Sequence, residues 1–340
     1  MKKRTLIALA LCLILCLAAS IGLAEDKVYE KPEITLVISD INPEDSPLGR
    51  TNYVFADLLK EATKGRIQAD IYCGGQLGTE ADNVNNLRLG VVAMTRVNTG
   101  NLAARGIDIP EYTILALPYL IRSAEHGMAF LKSEDGKALA DRVETVTNGE
   151  IVSMEAYIAS TPRHFFAKKP VTTMADMAGM KVRSETTDLK IDMMKAFGMS
   201  ATPMPLNDMY SSLQTGMIDG AEHNLSSIKS YAFYELCPYV LLTAHSYNTN
   251  VYLMSGKIWN TLSAEDQAIV KECMQKACDW CTEYYPTEDD AIRAELEPKG
   301  VTFTEPTDID VWAEAAATLY PKYAAGYEDF IKVVQSYNVK

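Results

Sequence analysis

Short β-rich runs alternate with amphipathic stretches through most of this chain, and no other feature restricts its fold so strongly. Ile34 to Ser39 is an apolar, β-branched run of strand length. Leu48 to Ala62 places Val54, Phe55, Leu58, Leu59 and Ala62 at helical spacing and is stopped by Gly65. Ile67 to Tyr72 alternates as a second strand. Gly74-Gly75-Gln76-Leu77-Gly78 reads as a turn, Glu80 to Leu89 as a helix and Val91 to Val97 as a third strand. Two successive β-α-β units imply a parallel sheet with helices on its faces. The second half repeats the style. Strands are predicted at Gly179 to Arg183, Ala201 to Pro203, Tyr239 to Ala244 and Asn250 to Met254, and helices at Asp188 to Phe197 and Asn207 to Thr215. A late apolar pattern starts at Ser263 and runs through Ile269, Val270, Cys273, Met274, Ala277, Cys278 and Cys281. It predicts a helix of ~30 residues and ~45 Å, long enough to brace two lobes, with a kink or break at Pro286.

The beginning of the chain reads differently. Lys2, Lys3 and Arg4 precede an uncharged leucine-rich stretch to Leu23, and Gly22-Leu23-Ala24 offers small residues at a cleavage site. Residues 1–24 are therefore expected to be a secretory signal peptide, which makes the protein exported, with a membrane anchor as the alternative. Lipid attachment at Cys12 or Cys16 is disfavoured, because neither follows a small residue. Five cysteines remain beyond residue 24, an odd number that does not describe a disulfide framework. Cys273, Cys278 and Cys281 match part of an iron-sulfur spacing, but they sit in a predicted helix where a cluster needs a loop.

Motifs of catalysis are missing. No phosphate loop, dinucleotide fingerprint or nucleophile elbow occurs, and His126, His164, His223 and His245 include no i,i+4 pair for zinc. No cofactor or metal is expected. A hydrolase using a carboxylate pair stays open, since acids are abundant. Arg163, before the β-rich run His164 to Ala167, and Arg183, at the end of a predicted strand, stand out instead. Ligands of parallel α/β sheets sit beyond the carboxyl ends of strands, and a guanidinium there matches a carboxylate with two hydrogen bonds. Either arginine is equally readable as a structural partner of a nearby acid such as Glu185.

A family resemblance sharpens this. Gly179-Met180-Lys181-Val182-Arg183, then residues 201–224 with Asp219-Gly220-Ala221-Glu222 near their end, then Tyr234-Glu235 and His245, resemble DctP-type solute-binding proteins of tripartite ATP-independent periplasmic (TRAP) transporters. Gly74 to Gly78, Leu87-Arg88-Leu89-Gly90 and Leu117-Pro118-Tyr119-Leu120 follow the family's order, and the resemblance spans roughly Glu33 to Gly300. It implies an α/β, two-lobed, periplasmic-binding-protein-like fold with two mainly parallel sheets and a long late helix bridging the lobes. Lobe I would hold residues 25–159 and about 249–285, and lobe II residues 160–248 and about 286–340. It further implies a monomeric protein that closes on a small organic acid and delivers it to a TRAP permease. Arg183 would pair with the ligand carboxylate and Arg163 would assist. The family's asparagine position carries His223, with Asn224 after it, so either His223 donates or Asn224 shifts in. A protonated His223 would add pH sensitivity near neutrality. On the opposing lobe, Asp40, Asn42, Arg96 and Asn98 lie at strand ends and are candidate contacts, and Leu206 and Tyr210 are candidates to line the arginine side. A sugar acid is favoured over a C4-dicarboxylate on the polar residues near Asn98 and His223. A sensor-coupled binding protein without a transport role is a further alternative.

Charge adds a constraint. The chain has 32 basic and 45 acidic side chains and a net charge of -13. That argues against nucleic acid and anionic membranes as partners. Loss of residues 1–24 removes three basic and no acidic residues, giving -16. An anionic ligand must then be attracted locally.

Overall fold

The computed structural model describes residues 29–158 and 161–338, so the expected signal peptide at 1–24, with Cys12 and Cys16, lies outside the described residues. The strands are β1 (Ile34–Ser39), β2 (Ile67–Tyr72), β3 (Met94–Asn98), β4 (Ile151–Ile158), β5 (Arg163–Ala167), β6 (Lys181–Ser184), β7 (Ser200–Pro203), β8 (Gly220–His223), β9 (Tyr239–Ser246), β10 (Thr249–Ser255) and β11 (Thr302–Thr304). The helices are α1 (Pro47–Ala62), α2 (Glu80–Leu89), α3 (Pro110–Leu115), α4 (Ala124–Leu131), α5 (Glu134–Val146), α6 (Asp188–Ala196), α7 (Met209–Thr215), α8 (Leu225–Ser230), α9 (Gly256–Trp259), α10 (Ala264–Leu296), α11 (Ile309–Ala317), α12 (Tyr320–Tyr323) and α13 (Glu328–Ser336).

Local chemistry explains the helix ends. Ser46 caps α1 by accepting from Gly49 N at 3.1 Å, and Pro47 occupies the first turn, where its missing N–H is harmless. Thr79 and Asp82 form a capping box at α2, and Gly90 closes that helix in the left-handed region at φ 78.

Two sheets define two lobes. The first has strand order β2-β1-β3-β10-β4 and the second β11-β9-β5-β8-β6-β7. Within each, all strands point one way except one: β10 runs against β3 and β4, and β5 runs against β8 and β9. The reversed strands have a topological cause. The chain leaves β4 for β5, and β9 for β10, by short crossings from one lobe to the other. A strand entered directly from the neighbouring lobe runs opposite to strands entered through a returning helix. Its amino end therefore lies at the edge where the other strands finish. Gly220 serves this packing, since a Cβ there would lie 2.4 Å from Phe166 O.

α10 spans both lobes, and its 33 residues extend for about 50 Å. Its first part packs on α1 and β4, and its later part meets α8. The break expected at residue 286 does not occur, and the helix continues to Leu296. The tail touches both lobes. Trp312 of α11 packs on Phe197 and Phe165 of the second lobe. α13 returns to the first lobe, where Phe330 meets Phe130 edge-on at 5.7 Å and His126 Nε2 contacts Val334 O at 2.8 Å. The apolar cluster containing Val97, Ile158, Phe165, Trp312 and Val334 joins the lobes on that side.

The lobes also touch across the opposite opening. Tyr231, after α8, donates its hydroxyl to Ile41 O, after β1, at 3.3 Å. A Cβ on Gly75 would lie 3.1 Å from Asn207 Nδ2. No helix of the described residues is long and apolar enough to cross a membrane.

Candidate functional site

A cleft of about 270 Å³ lies between the lobes, at the edge where the strands end. Arg96, Asn98, Arg183 and His223 come from the carboxyl-terminal parts of β3, β6 and β8, and Arg163 and Asn250 from the amino ends of the reversed β5 and β10. The strand-end rule thus places the site, and the two reversed strands add their first residues to it.

The first-lobe wall is internally balanced. Arg96 Nη2 donates to Asp40 Oδ1 at 3.3 Å, and its Nη1 to Asn250 Oδ1 at 2.5 Å. Burial disfavours the Arg96 charge, but Asp40 outweighs it and raises the pKa. Asp40 itself lies beneath the cleft lining. Its carboxylate accepts from Asn42 N at 2.9 Å, Asn42 Nδ2 at 2.7 Å and Asn52 Nδ2 at 3.3 Å. Asp40 is therefore placed to position Arg96 and Asn42, and those two reach the cleft. Asn98 lines the cleft and spends its Oδ1 on Gly100 N at 3.0 Å.

Sequence reasoning missed the rest of this wall. Glu80 is buried and lines the cleft, accepting from Asn101 Nδ2 at 3.0 Å, Asn98 N at 3.3 Å and Arg105 Nη2 at 3.4 Å. Burial raises its pKa, with Arg96 and Arg105 opposing. An acid in the first turn of a helix is ordinary, so its spacing carried no signal. The cap is made by Thr79 and Asp82, which leaves Glu80 free to face inward. Asn248, in the crossing between β9 and β10, also lines the cleft.

The second-lobe wall is built differently. Arg163 is held by Glu222: Nη2 donates to Oε1 at 2.7 Å and to the Glu222 carbonyl at 3.0 Å, and Nε meets Oε2. Glu185 stands 3.6 Å away from it. Burial would raise the Glu222 pKa, but Arg163 overcomes this and holds the carboxyl well below its usual range. Arg183 has no such partner. Its Nε donates to Met204 O at 3.0 Å, no other bond is made, and no carboxylate of the described residues pairs with it. It is 4% exposed, and burial pushes its pKa down. The four N–H bonds on its terminal nitrogens have no acceptor among the described residues. Behind this wall Lys190 of α6 is also buried with Nζ unpartnered, and burial lowers its pKa.

His223 and Asn224 divide their roles. His223 Nδ1 lies 3.1 Å from both Asn224 N and Asn224 Oδ1, so it accepts from the first when the ring proton is on Nε2 and donates to the second when the proton is on Nδ1, and Nε2 has no partner among the described residues. Burial, with Arg163 beside it, drives the His223 pKa well below its ordinary value. That shift disfavours the charged ring and argues against the pH sensitivity expected of it. Asn224 caps α8, its Oδ1 accepting from Ser227 N at 3.0 Å. Its Nδ2 is buried without a partner in the cleft lining. Leu206 lines the cleft with Met204 and Pro205 as an apolar wall. Tyr210 does not line it; its hydroxyl donates to Glu235 at 3.2 Å.

Among the described residues no group of three or more His, Cys, Asp or Glu is arranged to hold a metal. Cys273, Cys278 and Cys281 are buried on the continuous α10, so no loop wraps an iron-sulfur cluster there.

A family profile described as bacterial extracellular solute-binding protein, family 7 (DctP), matches residues 38–326. A solute-binding protein of Roseobacter denitrificans is 30% identical over 326 residues, covering 96% of both chains. The sialic acid-binding periplasmic protein SiaP of Vibrio cholerae is 27% identical over 270 residues, covering 79% of this chain and 82% of its own. Among solved structures, a TRAP periplasmic solute-binding protein from Pseudomonas putida with bound D-glucuronate superposes with a TM-score of 0.83 at 28% identity, covering 90% of this chain and 98% of that one. The Roseobacter protein, solved with bound L-galactonate, gives 0.80 at 28% identity, covering 91% and 100%.

Proposed function

The chain belongs to the DctP family of bacterial extracellular solute-binding proteins, and on that premise we propose that it captures a sugar acid in the interlobe cleft for uptake. Relatives in complex with D-glucuronate and L-galactonate support a uronate or aldonate as the ligand. We further propose that the protein is exported by its residues 1–24, works as a monomer and hands its ligand to a TRAP permease.

The observation that carries the binding mode is Arg183, a buried guanidinium facing a cleft with no acid in ion-pair contact with it. A buried charge without a partner is costly, and a ligand carboxylate supplies the partner. Asn224 Nδ2 is a further donor on the same wall, and His223 Nε2 is another in the tautomer that carries its proton there. Arg163 supports the anion site at one remove, because Glu222 already holds it. The empty, open cleft leaves Arg183 hydrated, and closure around ligand leaves it paired, so ligand shifts the population toward the closed form. Micromolar capture needs only about -8 kcal/mol net. One bidentate pair, a few neutral hydrogen bonds and the Met204–Leu206 wall are sufficient for that.

The test is calorimetric titration of the protein without residues 1–24 against D-glucuronate, D-galacturonate and L-galactonate. At 100 times the dissociation constant a ligand should add about 2.7 kcal/mol of stability. Arg183→Ala should remove both the heat and the added stability. Unchanged binding by that variant would refute the clamp.

A further inference from the structure

We propose that Glu80, held by Asn101 and Arg105, restricts this cleft to acids bearing a single carboxylate and rejects those with a second one at the far end. The inference rests on the sugar-acid reading and narrows its ligand class.

The cleft presents four guanidiniums, and three already have an acid. Arg96 meets Asp40 at 3.3 Å, Arg105 meets Glu80 at 3.4 Å, and Arg163 meets Glu222 at 2.7 Å. Arg183 makes no ion pair, although Glu185, which also lines the cleft 3.6 Å from Arg163, acts on its charge from farther away. A ligand carboxylate can pair with Arg183, and a second one would find no other unpaired cation in the lining.

Glu80 also faces the cleft from the lobe opposite Arg183. Its two oxygens take three donors, from Asn101, Asn98 and Arg105. An ionised carboxylate has about four acceptor positions, so one remains for a ligand hydroxyl. A hydroxyl donates there, whereas a carboxylate has no proton to give and repels Glu80. Two carboxylates sharing a water-poor site cannot both stay ionised. One must take up a proton, and burial already favours that on Glu80. Rejection of the second carboxylate is therefore electrostatic and weakens in acid. Selectivity of this kind comes from a repulsive element built against the wrong ligand.

L-Galactonate and galactarate test this, because oxidation of the far hydroxymethyl group of the first gives the second. D-Galacturonate serves as a cyclic monocarboxylate. Titration calorimetry at pH 8 should show galactarate binding at least about 100-fold more weakly than the better of the two monocarboxylates. Glu80→Gln keeps acceptor and donor atoms but removes the charge, and should narrow that ratio to about 10-fold or less. Lowering the pH from 8 to 5 should improve galactarate binding to the parent protein more than monocarboxylate binding. Galactarate bound within about threefold of the monocarboxylates at pH 8 overturns the inference and leaves the sugar-acid reading standing. So does a ratio unmoved by Glu80→Gln. If that variant does not fold, the parent's ratio and its pH trend decide. Failure of every sugar acid to bind sinks both readings.

Discussion

The two walls of the cleft handle buried charge in opposite ways. The first-lobe wall pairs each arginine with an acid of its own, Arg96 with Asp40 and Arg105 with Glu80. The second-lobe wall pairs Arg163 with Glu222 and leaves Arg183 and Lys190 without acidic contacts. A balanced wall is complete without ligand and recognises it through neutral hydrogen bonds. An unbalanced wall becomes complete when an anion arrives. The -13 charge of the whole chain repels anions, and the imbalance at Arg183 provides the local attraction.

The largest test separates the two arginines of the second wall. Arg163→Met leaves Glu222 buried with only His245 Nε2 near it at 3.5 Å, and should destabilise the fold by about 3–5 kcal/mol in urea denaturation. Arg183→Met removes an uncompensated charge, so the empty protein should be as stable as the parent or more so. Its affinity for sugar acids should fall by about a thousandfold, read by calorimetry. Equal destabilisation by both changes would erase the contrast.

Lys190→Met sharpens the contrast on the same wall. The folded pKa of Lys190 lies below its unfolded value, so at neutral pH the unfolded chain binds more protons and the folded state is penalised. The variant should exceed the parent by about 1–2 kcal/mol at pH 7, with the gap closing as pH rises toward about 10.5. A gap that does not change with pH would assign the effect to packing.

Tyr231→Phe removes the interlobe hydrogen bond to Ile41. Affinity should drop a few-fold, in line with about 1 kcal/mol for such a bond. The smallest effect is an absence. With His223 held neutral by burial and Arg163, sugar-acid affinity should stay flat from pH 6 to 8. A tenfold rise on acidification across that range would return His223 to the role of proton-linked donor.

Much of the frame was legible in the sequence. β1, β2 and α2 have the expected bounds, because period-2 and helical patterns there are bracketed by glycine and cap residues. β8 was not legible as a strand. Gly220-Ala221-Glu222-His223 has no strand pattern and is fixed by pairing with β5 and β6. In the site, Arg183 could be picked out at a strand end. The pairing of Arg163 with Glu222 spans 59 positions and no spacing rule reveals it. Glu185, the sequence-adjacent partner considered for either arginine, is within ion-pair distance of Arg163 and acts on Arg183 only from farther away. Glu80 was concealed by the ordinary preference for acids in a first helical turn.

The crossing from β9 to β10 has a mechanical consequence. Asn248 lies in that crossing and also lines the cleft, so a ligand touching it presses on the axis about which the lobes would swing. Force applied on an axis exerts no torque. The contacts of Tyr231 with Ile41 and of Asn207 beside Gly75 stand at the far end of the lever arm. Grip and closure are thus governed by different atoms. A competitor confined to the floor of the cleft would occupy the protein without drawing the rims together.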